Sequence, residues 1–91
     1  MTPKISNWWI YMVLCSDNTF YIGISTDVEK RVSTHNLAKG AKYTKPRLPV
    51  KLVYIEESTT HSAALKREFA LKKLTRSEKK ELCNKKYILG N

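Results

Sequence analysis

Trp8-Trp9-Ile10-Tyr11-Met12-Val13-Leu14-Cys15-Ser16-Asp17-Asn18-Thr19-Phe20-Tyr21-Ile22-Gly23-Ile24 is the stretch on which the fold turns. Two runs rich in aromatic and β-branched residues flank a polar segment, Ser16 to Thr19. This is the pattern of an antiparallel hairpin, with strands over residues 8–15 and 20–24. Side chains alternate between the faces of a strand. Ile10, Met12 and Leu14 therefore share one face, as do Phe20, Ile22 and Ile24. Tyr11 points the other way, and Tyr21 and Gly23 point together. The apolar set is expected in the core, with both phenols on the opposite face. As a purely structural device, Tyr11 and Tyr21 also fit a cross-strand aromatic pair. Gly23 allows close approach of backbone or substrate, or marks a bulge. Trp8 and Trp9 read as an exposed pair.

Outward from the hairpin, a helix is expected over about residues 27–38. Thr26-Asp27-Val28-Glu29 fits a capping box, Val28 and Val32 give the helix an apolar side, and Gly40 is a plausible stop. Residues 39–49 read as a loop, and 50–56 as a third strand. Another helix over 61–73 carries Ala64, Leu65, Leu71 and Leu74 along one side. A last helix starts at a second capping box, Thr75-Arg76-Ser77-Glu78, and runs to about Asn84. The order β-β-α-β-α-α predicts an α/β (α+β) fold, a small three-stranded antiparallel sheet flanked by helices. One domain over 1–91, with a core of about 8–84, suits a chain of this length.

The chain carries a formal charge of +9, unevenly spread. Residues 1–38 hold three basic and three acidic side chains, 39–60 five and two, and 61–91 nine and three. A neutral first part joined to a basic remainder suits a polyanionic partner, with binding that weakens as salt rises. A set of merely solvated lysine-rich helices would look similar. No apolar run approaches the roughly 20 residues that span a bilayer, and no signal-peptide pattern opens the chain. A cytoplasmic protein without a membrane partner is expected. Cys15 and Cys83 suit free thiols rather than a zinc site or a disulfide framework, with Cys15 buried.

Three side chains suggest chemistry. Arg31 and His35, spaced i and i+4, share a helix face; the guanidinium suits phosphate oxygens, and the imidazole can take or give a proton. An exposed Arg and a packed His would have the same spacing. Glu68 stands among Lys66, Arg67, Lys72 and Lys73 on the border of an apolar stripe. There it either pairs with Lys72 or helps to hold a cation such as Mg²⁺. In the loop, Lys39, Lys42, Lys45 and Arg47 surround Tyr43, as for phosphate contact and base stacking; a mobile basic loop is the simpler alternative.

In order and spacing, these residues resemble the GIY-YIG nuclease superfamily. The first motif stands as Trp9-Ile10-Tyr11 and the second as Tyr21-Ile22-Gly23. Arg31 follows on the first helix and Glu68 on a later one. The stretches Asn36 to Thr44 and Pro49 to Glu57 are similar to the small stand-alone bacterial branch, and the likeness covers about residues 8–82. Trp9 replaces the motif's Gly, and Ile24 stands where several nuclease members carry Lys. The resemblance implies catalytic roles for Tyr11, Tyr21, Arg31 and His35, with one tyrosine positioning or deprotonating the attacking water. Arg31 would bind the scissile phosphate, His35 would orient water or share the proton, and Glu68 would hold one divalent metal, Mg²⁺ or Mn²⁺. The implied activity is endonucleolytic cleavage of DNA, selective for branched, nicked or flapped structures, in repair or recombination. The alternative is a catalytically weak or inactive nucleic-acid-binding module of the same fold. The implied partner is DNA or another nucleic acid.

Overall fold

In the computed structural model, which describes residues 7–85, the hairpin forms where the alternation places it. Strand β1 runs Trp8–Leu14 and β2 runs Phe20–Ser25, paired antiparallel with Tyr11 opposite Gly23 and Met12 opposite Ile22. The turn is closed by Asp17, whose carboxylate accepts from the Thr19 amide at 3.1 Å and hydroxyl at 2.6 Å. Asn18 takes a positive φ of 68°, a conformation that Asn tolerates. Strand β3, Lys51–Ser58, pairs antiparallel with the other edge of β1, giving the order β2-β1-β3. A bulge interrupts that second pairing between Met12 and Val13; the ladder at Gly23 is regular.

As the central strand, β1 is buried on both faces. Ile10, Met12 and Ile22 form one cluster with Tyr54, Ala64 and Leu71. Tyr11, Val13 and Cys15 form the other with Val28 and Val50. Helix α1 (Val28–Asn36) covers the tyrosine face, and α2 (His61–Lys72) and α3 (Arg76–Lys85) serve the other. The expected three-stranded antiparallel sheet flanked by helices is what the chain forms. Full burial of side chains such as Ile10 and Met12 contributes about 1.5–3 kcal/mol each.

The helix ends differ from expectation in detail. Asp27, not Thr26, caps α1, its carboxylate accepting from the Lys30 amide at 3.1 Å. The helix stops before Gly40. Ala38 adopts φ 63°, its amide reaches the His35 carbonyl and the Lys39 amide the Thr34 carbonyl, the pattern of a Schellman motif. The second capping box forms as expected: the Thr75 amide donates to Glu78 Oε1 at 2.8 Å, and the Glu78 amide to Thr75 Oγ1 at 3.1 Å. Thr60 caps α2. Leu65, expected on the buried stripe of α2, is exposed, while Ala64 and Leu71 carry that stripe. Trp8 and Trp9 are half-buried rather than exposed: Trp8 packs beside His61, with ring centroids 4.4 Å apart, and Trp9 joins the tyrosine-face cluster. Cys15 and Cys83 are free thiols, Cys15 buried. No helix among the described residues is long and apolar enough to cross a membrane.

One clamp aligns α1 with the sheet. The Asn36 side-chain amide donates to the Val50 carbonyl at 3.1 Å and accepts from the Val50 amide at 2.8 Å. The intervening loop, with a 3₁₀ turn over Lys45–Arg47, is thereby held against the tyrosine face.

Candidate active site

The site is built on a polar network inside the second core. Tyr11, on the central strand, is 1% exposed, and His35, from the last turn of α1, is fully buried. The Tyr11 hydroxyl lies 2.8 Å from His35 Nε2. His35 Nδ1 lies 2.9 Å from the hydroxyl of Thr44, also fully buried, and that hydroxyl donates to the Ala41 carbonyl at 2.9 Å. No buried side-chain polar atom among the described residues lacks a partner.

Glycines make the network possible at two points. A Cβ on Gly23 would fall 2.6 Å from the Tyr11 hydroxyl oxygen, so Gly23 leaves the room that the phenol fills. A Cβ on Gly40 would fall 2.3 Å from His35 Nδ1 and 2.9 Å from its Cα, so only glycine lets the loop close over the imidazole. Gly23 thus serves close approach of a side chain of the protein itself, and the bulge lies elsewhere.

Tyr21 is half-buried on the same face as Tyr11, with ring centroids 6.4 Å apart, and meets His35 edge-on at 5.4 Å. Its ring stacks on Tyr43 at 6.0 Å, and the Arg47 guanidinium sits 3.9 Å from the Tyr43 ring centre. Arg47 also pairs with Asp17 at 3.0 Å and donates to the Tyr43 carbonyl at 2.8 Å. Tyr43 and Arg47 therefore brace Tyr21, and a nucleic-acid base would have to displace one of them to stack there. Lys39, Lys42 and Lys45 are exposed and form no ion pair among the described residues.

Arg31 and, most weakly of all, the charge of Glu68 act on the same phenol. Burial pushes the Tyr11 phenol up to about 12, Arg31 opposes the rise by hydrogen bonding and by charge, and the charges of Tyr21 and Glu68 add to it. Burial and then the Arg31 charge hold the His35 imidazole below its ordinary value, which favours the neutral ring. Arg31 also lines a shallow hollow with Ser25, Thr26, Asp27, Lys30 and Thr34. Glu68 is on α2, its carboxylate largely covered and paired with Lys72 at 3.2 Å. No cluster of three or more His, Cys, Asp or Glu side chains among the described residues could hold a metal by itself. The donor set instead fits an open mode in which one carboxylate, water and substrate phosphate oxygens share a hard cation.

A family model described as the GIY-YIG catalytic domain matches residues 7–81. The chain belongs to the GIY-YIG family. Its GIY-YIG domain is 51% identical over 74 residues to the UPF0213 protein HQ_3675A of Haloquadratum walsbyi, covering 81% of this chain and 83% of that protein. It is 51% identical over 79 residues to the UPF0213 protein YazA of Bacillus subtilis, covering 87% and 79% of the two chains. Among solved structures it is similar to EF2693 from E. faecalis, with TM-score 0.62 and 36% identity over 100% of this chain and 96% of that one. The small stand-alone relatives thus include archaeal as well as bacterial proteins.

Within this GIY-YIG domain, the sequence pattern pointed to Tyr11, Tyr21, Arg31 and His35, and the fold gathers them on one face. Two partners were missed. Thr44, in a lysine-rich loop, looks like any turn residue, and Gly40 looked like a helix stop. The available signal was Gly40 and Thr44 together, in a loop too short to leave the helix that carries His35.

Proposed function

We propose that this GIY-YIG domain is a divalent-metal-dependent endonuclease that hydrolyses phosphodiester bonds in DNA, with a preference for branched or interrupted duplexes. The observation that carries this reading is the buried Tyr11–His35 hydrogen bond, with Tyr21 packed beside it and Arg31 acting on the same phenol. A core needs no such group: burying a phenol and an imidazole costs desolvation that an apolar pair would avoid.

Each side chain then has a task. Arg31 binds the scissile phosphate and stabilises the negative charge that grows on it. Tyr11 and Tyr21 lie at the cleavage centre, where one of them positions the attacking water or draws off its proton, with neutral His35 beside them as a proton acceptor. Glu68 would hold one divalent cation, Mg²⁺ or Mn²⁺, which when bound would supply positive charge to stabilise the developing negative charge. For that, Glu68 must exchange its pairing with Lys72, a partner that is half-exposed and therefore weakly held. Lys39, Lys42 and Lys45 meet flanking phosphates, which makes binding salt-sensitive. The same Glu68–Lys72 pair supports the second reading, a nucleic-acid-binding module with weak catalysis.

Labelled duplex, single-stranded and branched DNA, incubated with Mg²⁺ or Mn²⁺, separates the two. Cleavage by the wild type that falls about 100-fold or more in Arg31→Ala and in Glu68→Ala supports the nuclease. Cleavage unchanged in both variants rejects the assigned site. Salt-sensitive binding without cleavage supports the binding module.

A further inference from the structure

We infer that Thr44 is a positioning residue that fixes His35 as its Nδ1–H tautomer, so that the bare Nε2 faces Tyr11 and makes Tyr11, rather than Tyr21, the phenol that hands on the proton. The inference rests on the nuclease reading for its catalytic meaning, but its structural content can be tested separately.

The tautomer follows from counting protons along the network. The Thr44 hydroxyl has one proton, and the Ala41 carbonyl, 2.9 Å away, can only accept. With that proton spent on Ala41, the 2.9 Å contact between Thr44 Oγ1 and His35 Nδ1 requires the nitrogen to be the donor. A neutral imidazole has one N–H, so Nε2 carries a lone pair, and the Tyr11 hydroxyl donates to it across 2.8 Å. The opposite assignment would turn the hydroxyl towards Nδ1 and leave oxygen lone pairs facing the carbonyl at 2.9 Å in a buried setting. One contact favours that opposite assignment: the Ala41 amide lies 3.4 Å from Nδ1. It is the longest of the set and so the weakest.

The chain therefore runs one way, from Tyr11 O–H to Nε2, from Nδ1–H to Thr44 Oγ1, and from the Thr44 hydroxyl to the Ala41 carbonyl. Tyr21 has ring partners on the same face but no hydrogen-bond acceptor for its hydroxyl among the described residues. In the reaction, the water oxygen bonds to phosphorus while its proton moves to the Tyr11 oxygen and the Tyr11 proton moves to Nε2. The bond from phosphorus to the leaving oxygen breaks, and that oxygen takes a proton from solvent. His35 is then an imidazolium that still donates from Nδ1 to Thr44, and its extra proton returns to solvent through Tyr11. No standing phenolate is needed. Tyr11 is covered, so this step requires bound substrate to bring the attacking water to the phenol.

The test is the ¹⁵N spectrum of the two histidines in the full chain at neutral pH, with His35 assigned by its loss in His35→Gln. The expected result is a protonated Nδ1 and an unprotonated Nε2 on His35, kept in Thr44→Ser and lost or mixed in Thr44→Val. A wild-type His35 protonated at Nε2, or an unchanged tautomer in a folded Thr44→Val, overturns the inference. Should Thr44→Val fail to fold, the wild-type and Thr44→Ser spectra still decide it. In the cleavage assay, Thr44→Val is expected to lower kcat about tenfold or more with little change in KM, and Thr44→Ser to restore it. A wild type that does not cleave DNA removes the nuclease reading and leaves the tautomer assignment to stand or fall by the spectrum.

Discussion

The two faces of the sheet bury their side chains by different rules. On the α2 face, Ile10, Met12 and Ile22 meet Ala64 and Leu71, and the only phenol there among the described residues, Tyr54, donates to Glu56 at 2.7 Å. On the α1 face, Val13, Val28 and Val50 surround a phenol, an imidazole and a threonine hydroxyl, all fully or almost fully buried and mutually hydrogen-bonded. The first face is held by volume and area. The second is held by atom-by-atom pairing, in which a single missing oxygen leaves a partner stranded. A small domain with a modest core gains stability from the first arrangement, and the second is the one that the proposed chemistry uses.

Substitutions can break this contrast one face at a time. Leu71→Ala removes volume from the apolar face and is expected to cost about 2–5 kcal/mol in urea denaturation. Met12→Leu on the same face, which keeps volume, should cost less than about 1.5 kcal/mol. The tyrosine face should respond to the loss of one atom: Tyr11→Phe keeps the ring but leaves His35 Nε2 without its partner, an expected cost of about 1–3 kcal/mol. If Tyr11→Phe proves neutral while Leu71→Ala has its full effect, the second core is held by area like the first.

Acid should separate the faces as well. His35 is held below its ordinary value by burial and by Arg31, and the groups facing it are Arg31, Tyr11, Tyr21 and Thr44. The unfolded chain takes up a proton at this residue near pH 6.5, while the folded one resists until lower pH. Its contribution is therefore fully present above about pH 6.5 and is lost as pH falls through the depressed folded value. The urea midpoint of the wild type should drop from pH 7.5 to 5.5 by more than that of His35→Gln; equal drops would remove His35 from the account. The smallest effect is expected away from both faces, where Thr75→Ala opens the α3 capping box at a cost of about 1 kcal/mol.

Most of the framework could be read from periodicity. Alternation in Ile10, Met12 and Leu14 against Tyr11 and Tyr21 assigned the faces, because a one-residue slip would reverse every side chain. The strands and helices formed within two residues of their expected limits, and the Thr75–Glu78 box appeared as read. The interior of the site was less legible. That Tyr11 and His35 would be sealed depends on loop 39–44 closing over α1, which needs Gly40 at 2.3 Å and an αL residue at Ala38, where alanine gives no cue. Nor did the lysine-rich loop disclose that Tyr43 and Arg47 brace Tyr21 or that Thr44 reaches Nδ1, since such pairings exist only once the chain has folded back.

The polar face is proposed to exist for phosphodiester chemistry. The most direct measurement is the single-turnover rate of Mg²⁺-dependent cleavage of labelled branched and linear duplex DNA by wild type and Tyr11→Phe, at a temperature where both are folded. Cleavage reduced about 100-fold or more, with DNA binding unchanged, is the expected result. A folded Tyr11→Phe that cleaves at the wild-type rate would contradict it.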